Sequence, residues 1–377
     1  MKAVIAIDSF KGSLTSLEAV RAGILAADPG AEVLVRPLAD GGEGTVEALT
    51  RGMGGTFRTV QVTGPLGDPV EARYGILADG RTAIVEMSAA TGITLVPEEK
   101  RNPLHTTTCG VGEILRDAIR QGCRSFVVGI GGSATNDGGI GMLQAPGFGM
   151  LDREGQQVSF GAAGLRDLET ITEDGVLPEF RDCRFRIACD VTNPLCGAQG
   201  CSAVFGPQKG ADPDMIRQMD GWLSRYAAIS KTVRPRADAD TPGTGAAGGL
   251  GFAFLTFTNA VLESGISIAL EETHLERAVR DADVVVTGEG RLDGQTVMGK
   301  APIGVAGIAK KYQKPVIAFA GSVTPDAKAC NDHGIDTYFP ILRGVMTLPE
   351  AMDPQNAKRH LSDTAEQVFR LFKIAAK

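Results

Sequence analysis

The chain has 377 residues, of which 43% are hydrophobic, 22% charged and 5% aromatic. This balance is typical of a globular protein of two or three domains and excludes a disordered chain. The net charge is −7 and no basic arm is present, which argues against a nucleic-acid partner. No stretch approaches about 18 apolar residues, so we expect neither a membrane span nor a signal sequence. Seven cysteines without a Cys-x-x-Cys pair favour reduced thiols and a cytoplasmic location.

Short runs of Val and Ile recur along the chain, separated by amphipathic segments of helix length. This order predicts strands buried on both faces of a parallel sheet, and hence an α/β fold. The predicted strands are 4–7, 33–35, 126–130, 284–286, 316–319 and 337–341. Three helices are predicted. The first begins at the capping pattern Thr15 to Glu18, the second covers about 114–121, and the third runs from Pro302 to about Lys311.

Two stretches interrupt this order. Residues 60–87 predict two or three strands joined by tight turns, an antiparallel excursion, and residues 139–241 contain few strands. We therefore expect a Rossmann-like parallel-sheet domain that is discontinuous in sequence and a second, inserted α+β domain, with the ligand cleft between them. The expected boundaries are 1–60, 90–135 and 245–377 for the Rossmann-like domain, and 61–89 and 136–244 for the inserted domain.

The 49 glycines, about twice the ordinary share, cluster directly after predicted strands. Glycine lets backbone N–H groups approach a phosphate, and the carboxyl ends of parallel strands meet at one edge of a sheet. One such loop could simply connect a strand to a helix. Four loops that also carry carboxylates or hydroxyls favour anion binding; they are 8–13, 40–45, 129–139 and 287–293.

Formal motif matches are less informative. Gly243, Gly245 and Gly248 have the spacing of a dinucleotide fingerprint, but no predicted strand precedes them. The run from Gly294 to Lys300 resembles a P-loop that lacks its Ser or Thr, although Lys300 before a Pro-initiated helix is either an anion ligand or a solvated lysine. No G-x-S-x-G elbow is present, which argues against a Ser-His-Asp hydrolase.

Several longer strings occur in one order along the chain. They are DSFKGS at 8–13, ADGGEGT at 39–45, RNPL at 101–104 with TTT at 106–108, GIGGSATNDGG at 129–139, DVTNPL at 190–195, FGPQKG at 205–210, GAAGGLG at 245–251 and TGEG at 287–290. Together they resemble the type 1 family of bacterial glycerate kinases, over about residues 2–370. Pro146 and Cys201 depart from the family pattern, and Pro146 should end the helix that begins near Gly139 early.

The resemblance implies a two-domain α/β enzyme that uses ATP and Mg²⁺ to phosphorylate D-glycerate. The 2-hydroxyl is the expected acceptor, which would give 2-phosphoglycerate; a 3-phosphoglycerate-forming glycerate kinase is the alternative. Two other classes remain open: an NAD-dependent 2-hydroxy acid oxidoreductase and a non-catalytic sensor of sugar acids. The partners are small molecules, and a homo-oligomer is compatible with the sequence.

The roles of individual residues follow from the chemistry of phosphoryl transfer to a small anion, which needs positive groups and N–H donors more than nucleophiles. We assign catalysis to Asp8, Lys11, Asp190 and Lys209, and Mg²⁺ binding to Asp190 and Asp137. We assign nucleotide binding to Gly131, Gly132, Ser133, Asn136, Asp137, Gly288, Glu289 and Lys300. We assign substrate binding to Asp40, Glu43, Thr106, Thr107, Thr108, Asn193 and Arg291; the alternative for the three threonines is N-capping of the next helix.

Overall fold

The structure, a computed structural model, describes residues 1–7, 14–39, 42 and 44–375. Its strands are β1 (Lys2–Ile5), β2 (Glu32–Val35), β3 (Thr56–Thr63), β4 (Pro69–Ile76), β5 (Thr82–Glu86), β6 (Ser125–Gly129), β7 (Gly149–Leu151), β8 (Thr170–Thr172), β9 (Arg184–Ala188), β10 (Asn259–Glu263), β11 (Val284–Leu292), β12 (Val316–Val323) and β13 (Thr337–Pro340).

The α-helices are α1 (Leu14–Ala27), α2 (Thr45–Gly52), α3 (Ser88–Thr91), α4 (Cys109–Arg120), α5 (Ile140–Gln144), α6 (Ala162–Asp167), α7 (Pro178–Arg181), α8 (Cys201–Phe205), α9 (Pro213–Val233), α10 (Ala246–Phe257), α11 (Gly265–Glu272), α12 (Leu275–Arg280), α13 (Ala301–Lys311), α14 (Ala329–Asp332), α15 (Leu348–Met352) and α16 (Pro354–Ala375). Short 3₁₀ turns lie at Ile93–Leu95, Glu98–Lys100, Pro207–Lys209, Thr296–Met298 and Pro325–Lys328. Across the described ranges, no helix combines the length and the apolar character that crossing a bilayer requires.

The first compact unit combines Met1–Asp40 with Ile266–Lys377. Its sheet is parallel throughout, in the order β13-β12-β11-β1-β2. Alternate side chains of β1 enter two different apolar cores: Val4 packs with residues of α12 and α13, and Ile5 packs with residues of α1 and α16. A strand buried on both faces needs apolar residues at every position, which explains the continuous runs of Val and Ile.

The second compact unit is Gly41–Gly265. Its large sheet has the order β10-β9-β6-β5-β4-β3. The pairs β3–β4 and β4–β5 are antiparallel, and β5, β6, β9 and β10 are parallel. The antiparallel excursion predicted over 60–87 is therefore confirmed. Strands β7 and β8 form a separate antiparallel pair.

The α/β class is confirmed, and a strand forms at each apolar run that the sequence singles out. The compact units, however, do not follow the expected domain boundaries. Residues 41–60, 90–135 and 245–265 were expected with the two ends of the chain, but they lie in the second unit. The reason is that β6 pairs with β5 and β9, not with β1 or β11. An apolar run predicts a buried strand, but it does not specify the sheet to which that strand belongs.

Two helix boundaries test the capping and proline arguments. Helix α1 begins at Leu14, so the predicted capping pattern at Thr15 lies just inside the helix. Helix α5 ends at Gln144, two positions before Pro146, as the proline predicts.

Candidate active site

Four parallel strands of the second unit end side by side. Glu86 of β5 is in register with Gly129 of β6, Gly129 with Ala188 of β9, and Ala188 with Glu263 of β10. The segments that follow β6 and β9 hold most of the candidate residues that the structure describes. The carboxyl edge of this parallel sheet is where α/β proteins usually bind ligands.

The loop after β6, residues 130–139, is the glycine-rich segment that the sequence predicts as a phosphate cradle. Gly131 and Gly132 are exposed, whereas residues 133 to 137 are buried. Gly132 has φ of 73°, a conformation that favours glycine. Backbone bonds fasten the loop to a neighbouring segment: the Ile93 N–H donates to the Gly132 carbonyl over 2.8 Å, and the Ala134 N–H donates to the Thr91 carbonyl over 3.0 Å. Hydrogen bonds to Thr91 and Ile93 thus hold the exposed glycines in place.

Lys209 lies beneath this loop and is only 2% exposed. Its Nζ donates to Ser133 Oγ over 2.8 Å and to the Thr135 carbonyl over 2.6 Å. Burial lowers the pKa of Lys209 to about 8, while the nearby Cys201 and Asp137 act in the opposite direction. The predicted cation is therefore present at the loop, but it contacts the loop itself and is almost closed to solvent.

Asn136 connects the loop to a different segment, helix α8. Its Nδ2 donates to Ser202 Oγ of α8 over 2.8 Å, and its Oδ1 is buried without a hydrogen-bond partner. The motif FGPQKG, residues 205–210, contains Lys209 and overlaps the end of α8, which carries Ser202, so this segment contacts the glycine-rich loop through both residues. Sequence reasoning missed Ser202, because a single serine in a short helix gives no signal of its own.

Asp137 is fully buried, and its carboxylate is saturated by donors from the protein. Oδ2 accepts from the Thr108 N–H over 2.8 Å and from Thr108 Oγ1 over 2.9 Å, and Oδ1 accepts from the Gly139 N–H over 3.0 Å. Burial raises the pKa of the Asp137 carboxyl, and these hydrogen bonds oppose the shift. These contacts indicate a structural role for Asp137, and its assignment to Mg²⁺ and nucleotide binding stays a prediction.

The three threonines before α4 are also buried and used internally. Thr106 Oγ1 donates to the Ala134 carbonyl over 2.9 Å, Thr107 Oγ1 accepts from the Cys109 N–H over 3.1 Å, and Thr108 Oγ1 accepts from the Met142 N–H over 2.9 Å. The N-cap residue of α4 is Thr108, and its side chain makes no cap hydrogen bond to the first turn. All three hydroxyls bond within the protein, and the assignment of these threonines to substrate binding stays a prediction. They hold the start of α4 against the loop.

Asp190 and Asn193 follow β9 and are placed differently. Asp190 is exposed, and its Oδ1 accepts from the Gly265 N–H over 3.3 Å. Asn193 is half-buried; its Nδ2 donates to the Gln199 carbonyl over 2.8 Å, and its own carbonyl accepts from the Gly245 N–H over 2.9 Å. Within the described ranges, no three His, Cys, Asp or Glu side chains are grouped to hold a metal. Mg²⁺ needs only one or two carboxylates when substrate phosphates complete its shell, and the exposed Asp190 fits that requirement.

The segment 243–251 has a role that the sequence does not reveal. The start of α10 is interrupted by a left-handed turn, with φ of 53° at Ala247, 67° at Gly248 and 94° at Gly249. The Gly248 carbonyl accepts from the Gly138 N–H over 2.9 Å, and a Cβ added to Gly248 would lie 2.1 Å from the Thr135 carbonyl oxygen. Of the three glycines with the spacing of a dinucleotide fingerprint, Gly248 therefore packs against the glycine-rich loop, whereas Gly245 lies against the Pro194 carbonyl oxygen.

In the first unit, the second half of β11 carries a separate polar cluster. Glu289 accepts from Thr296 Oγ1 over 2.5 Å, and burial raises the pKa of its carboxyl. Asp293 lies 3.7 Å from Lys300 Nζ and 3.5 Å from Arg291 Nε, so the two predicted cations share one carboxylate. The sequence does not single out Thr296, whose hydroxyl donates to the Glu289 side chain and accepts from the Asp293 backbone N–H.

The local structure explains the positions of Lys300 and Gly288. Lys300 directly precedes α13, whose first turn holds Pro302, as the sequence predicts. Gly288 lies in β11 where a Cβ would come within 2.2 Å of the Phe319 carbonyl oxygen of β12, so the neighbouring strand requires glycine there. Asp8, Lys11, Asp40 and Glu43 lie outside the described residues, and their assignments stay predictions.

Comparison with known proteins identifies the family. A glycerate kinase family model matches residues 3–373. The chain is 48% identical to a glycerate kinase of Haemophilus influenzae over 98% of each chain, and 49% identical to a glycerate 2-kinase of Escherichia coli over 93% of each. A crystal structure from Salmonella typhimurium LT2, assigned provisionally as a glycerate kinase 2, matches with a TM-score of 0.92 at 46% identity and covers 100% of this chain and 99% of that chain. The chain therefore belongs to the glycerate kinase family and is an enzyme of that kind.

Proposed function

We propose that this enzyme transfers the γ-phosphoryl group of ATP to the 2-hydroxyl of D-glycerate, giving 2-phosphoglycerate, and that it does so in the cytoplasm. The observation that carries the proposal is the near full-length similarity to glycerate kinases, which includes 49% identity to a protein named glycerate 2-kinase. The 3-hydroxyl remains the alternative acceptor, and the experiment below separates the two products.

The described geometry supports phosphoryl transfer in two places. In the second unit, the exposed Gly131 and Gly132 offer backbone N–H groups beside the hydroxyl of Ser133, which suits the phosphate groups of a nucleotide. In the first unit, Lys300 stands at the start of α13, where the partial positive charge of the helix also favours an anion. We assign both to nucleotide phosphates, and Glu289 to the orientation of the cluster around Lys300.

Mg²⁺ would be held by Asp190 together with the phosphates, and when bound it would neutralise charge that develops on them. Asp190 is preferred over Asp137 because its carboxylate is exposed at the end of β9. We propose Asn193 and Arg291 for contacts with glycerate, along with Asp40 and Glu43. Lys11 would neutralise charge, and Asp8 would take the proton of the attacking hydroxyl.

The decisive experiment is product identification. The purified enzyme, incubated with ATP, Mg²⁺ and D-glycerate, should release ADP and form one new phosphate monoester, whose ³¹P signal coincides with added 2-phosphoglycerate. A signal that coincides with 3-phosphoglycerate would select the alternative acceptor. L-Glycerate and a reaction without acceptor are the controls. Stoichiometric glycerate binding without ADP release would favour a sensor instead.

An oxidoreductase receives no support from the geometry. Its fingerprint would need exposed glycines after a strand, whereas Gly248 is in close contact with the loop of residues 130–139. Incubation with NAD⁺ and D-glycerate should produce no change in absorbance at the NADH band. Formation of NADH would reinstate this class.

A further inference from the structure

Lys209 is a buried cation that has no ion pair among the described residues. Both described hydrogen bonds of its Nζ go to neutral oxygens, Ser133 Oγ and the Thr135 carbonyl. Burying a charge without an opposite charge is costly, and an apolar side chain of similar size would cost less. The position of Lys209 therefore calls for a role that an apolar residue could not fulfil.

The hydrogen bond between Lys209 and Ser133 fixes the direction of the serine hydroxyl. An ammonium group has three donors and no acceptor, so Ser133 Oγ must accept from Lys209 and its own hydrogen must point elsewhere. Ser133 is 8% exposed and directly follows the exposed Gly131 and Gly132, whereas Lys209 is 2% exposed. The hydrogen of Ser133 is thus left to point away from Lys209, on a residue that adjoins the exposed Gly132.

We propose that Lys209 is a positioning residue for the nucleotide phosphates: from beneath the loop it aims the Ser133 hydroxyl at a phosphate oxygen bound at Gly131 to Ser133, and its charge attracts that anion without touching it. The proposal rests on the proposed function, because a kinase supplies the phosphate groups. It assigns to Lys209 an effect on nucleotide affinity and none of its own on glycerate.

Protonation of Lys209 decides whether this arrangement exists. The ionisable groups that act on Lys209 are the Cys201 thiol on α8 and the Asp137 carboxyl on the loop; both raise the pKa of Lys209, but burial outweighs them and lowers it to about 8. Above that pH the neutral amine has a lone pair, and the Ser133 hydroxyl can turn inward and donate to it. The nucleotide would then lose a donor and a nearby positive charge.

The test compares Lys209→Met with Ser133→Ala and with Lys231→Met, a control on α9 whose lysine is exposed. The kinetic constants for MgATP and for D-glycerate are measured from pH 6.5 to 10, and ADP binding is measured by calorimetry. In the wild type, kcat/KM for MgATP should fall above about pH 8. At pH 7, Lys209→Met should raise KM for MgATP and weaken ADP binding about 10- to 100-fold, the range expected for lost hydrogen bonds to charged groups. In Lys209→Met, the remaining kcat/KM for MgATP should not fall above about pH 8.

Ser133→Ala should show a smaller loss than Lys209→Met, because it removes the hydroxyl contact but keeps the charge of Lys209. The double variant should be little worse than Lys209→Met alone, since that variant already loses both effects. The Lys231→Met control should match the wild type. Wild-type ADP affinity in Lys209→Met, or an unchanged alkaline fall, would overturn the proposal. Should Lys209→Met fail to fold, Ser133→Ala decides alone, because without the hydroxyl the alkaline loss must shrink. Calorimetry measures ADP binding without turnover. It therefore tests the role of Lys209 even if the enzyme does not form the proposed product.

Discussion

Asp137 and Asp190 both follow a parallel strand of the second unit, yet the structure places them in opposite environments. Asp137 is fully buried and accepts from Thr108 and the Gly139 N–H. Asp190 is exposed at the end of β9. The sequence predicts both as acidic groups at the carboxyl edge of a sheet. It cannot separate them, because burial depends on which loop covers each strand end.

The two aspartates should therefore respond differently to the same substitution. Asp190→Asn should lower kcat/KM by about 10² to 10⁴ because it removes a charge from the proposed magnesium site, with little change in the free energy of unfolding. Asp137→Asn replaces one accepting oxygen with an amide donor that faces other donors, and should lower the free energy of unfolding by about 1–3 kcal/mol. Urea denaturation and steady-state assays measure both effects. Wild-type activity in Asp190→Asn would remove it from the site.

At the scale of elements, the turn that interrupts α10 contacts the glycine-rich loop at Thr135 and Gly138. Gly248→Ala would place a methyl group 2.1 Å from the Thr135 carbonyl oxygen at a φ of 67°, so we expect a loss of about 2 kcal/mol or more in the free energy of unfolding. Activity should fall as well, since Thr135 also binds Lys209. Thermal denaturation and the kinase assay check both expectations.

A matched control is available in α9. Gly221 is exposed, and no atom lies within 4 Å of a Cβ added there. Gly221→Ala should therefore raise the free energy of unfolding by about 0.5–1 kcal/mol, because alanine favours a helix. Equal stability changes at Gly221 and Gly248 would contradict the packing role of the turn.

The sequence predicted where strands and helices lie better than it predicted which of them are in contact. The run Phe126 to Ile130 identified a buried strand, and Pro146 identified the end of α5, because both depend on local chemistry. The pairing of β6 with β9, and the contact of Lys209 with Ser133, join residues about 60 to 80 positions apart. Such contacts depend on topology, which apolar periodicity does not encode.

At the scale of the molecule, each compact unit has apolar cores made from its own residues. Among the residues that the structure describes, the core of the second unit is made from residues between Gly41 and Gly265, and the two cores of the first unit are made from the segments before and after it. We expect the fragment 41–265 to fold alone and to unfold cooperatively in urea. A fragment without a cooperative transition would show that the second unit depends on the rest of the chain. The full-length chain, denatured in parallel, is the control.

The pairing of β1 with β11 has a consequence for synthesis on the ribosome. Ala3 is in register with Val284, so 281 positions separate the two partners at the middle of one sheet. At about 5–20 residues per second, β11 emerges roughly 15–60 s after β1. During that interval β1 can pair with β2 but lacks its neighbour on the other side, while the whole of the second unit is completed. The earliest residues of the chain therefore belong to the part that folds last, and a delay in translation between them would prolong the exposure of an apolar strand edge.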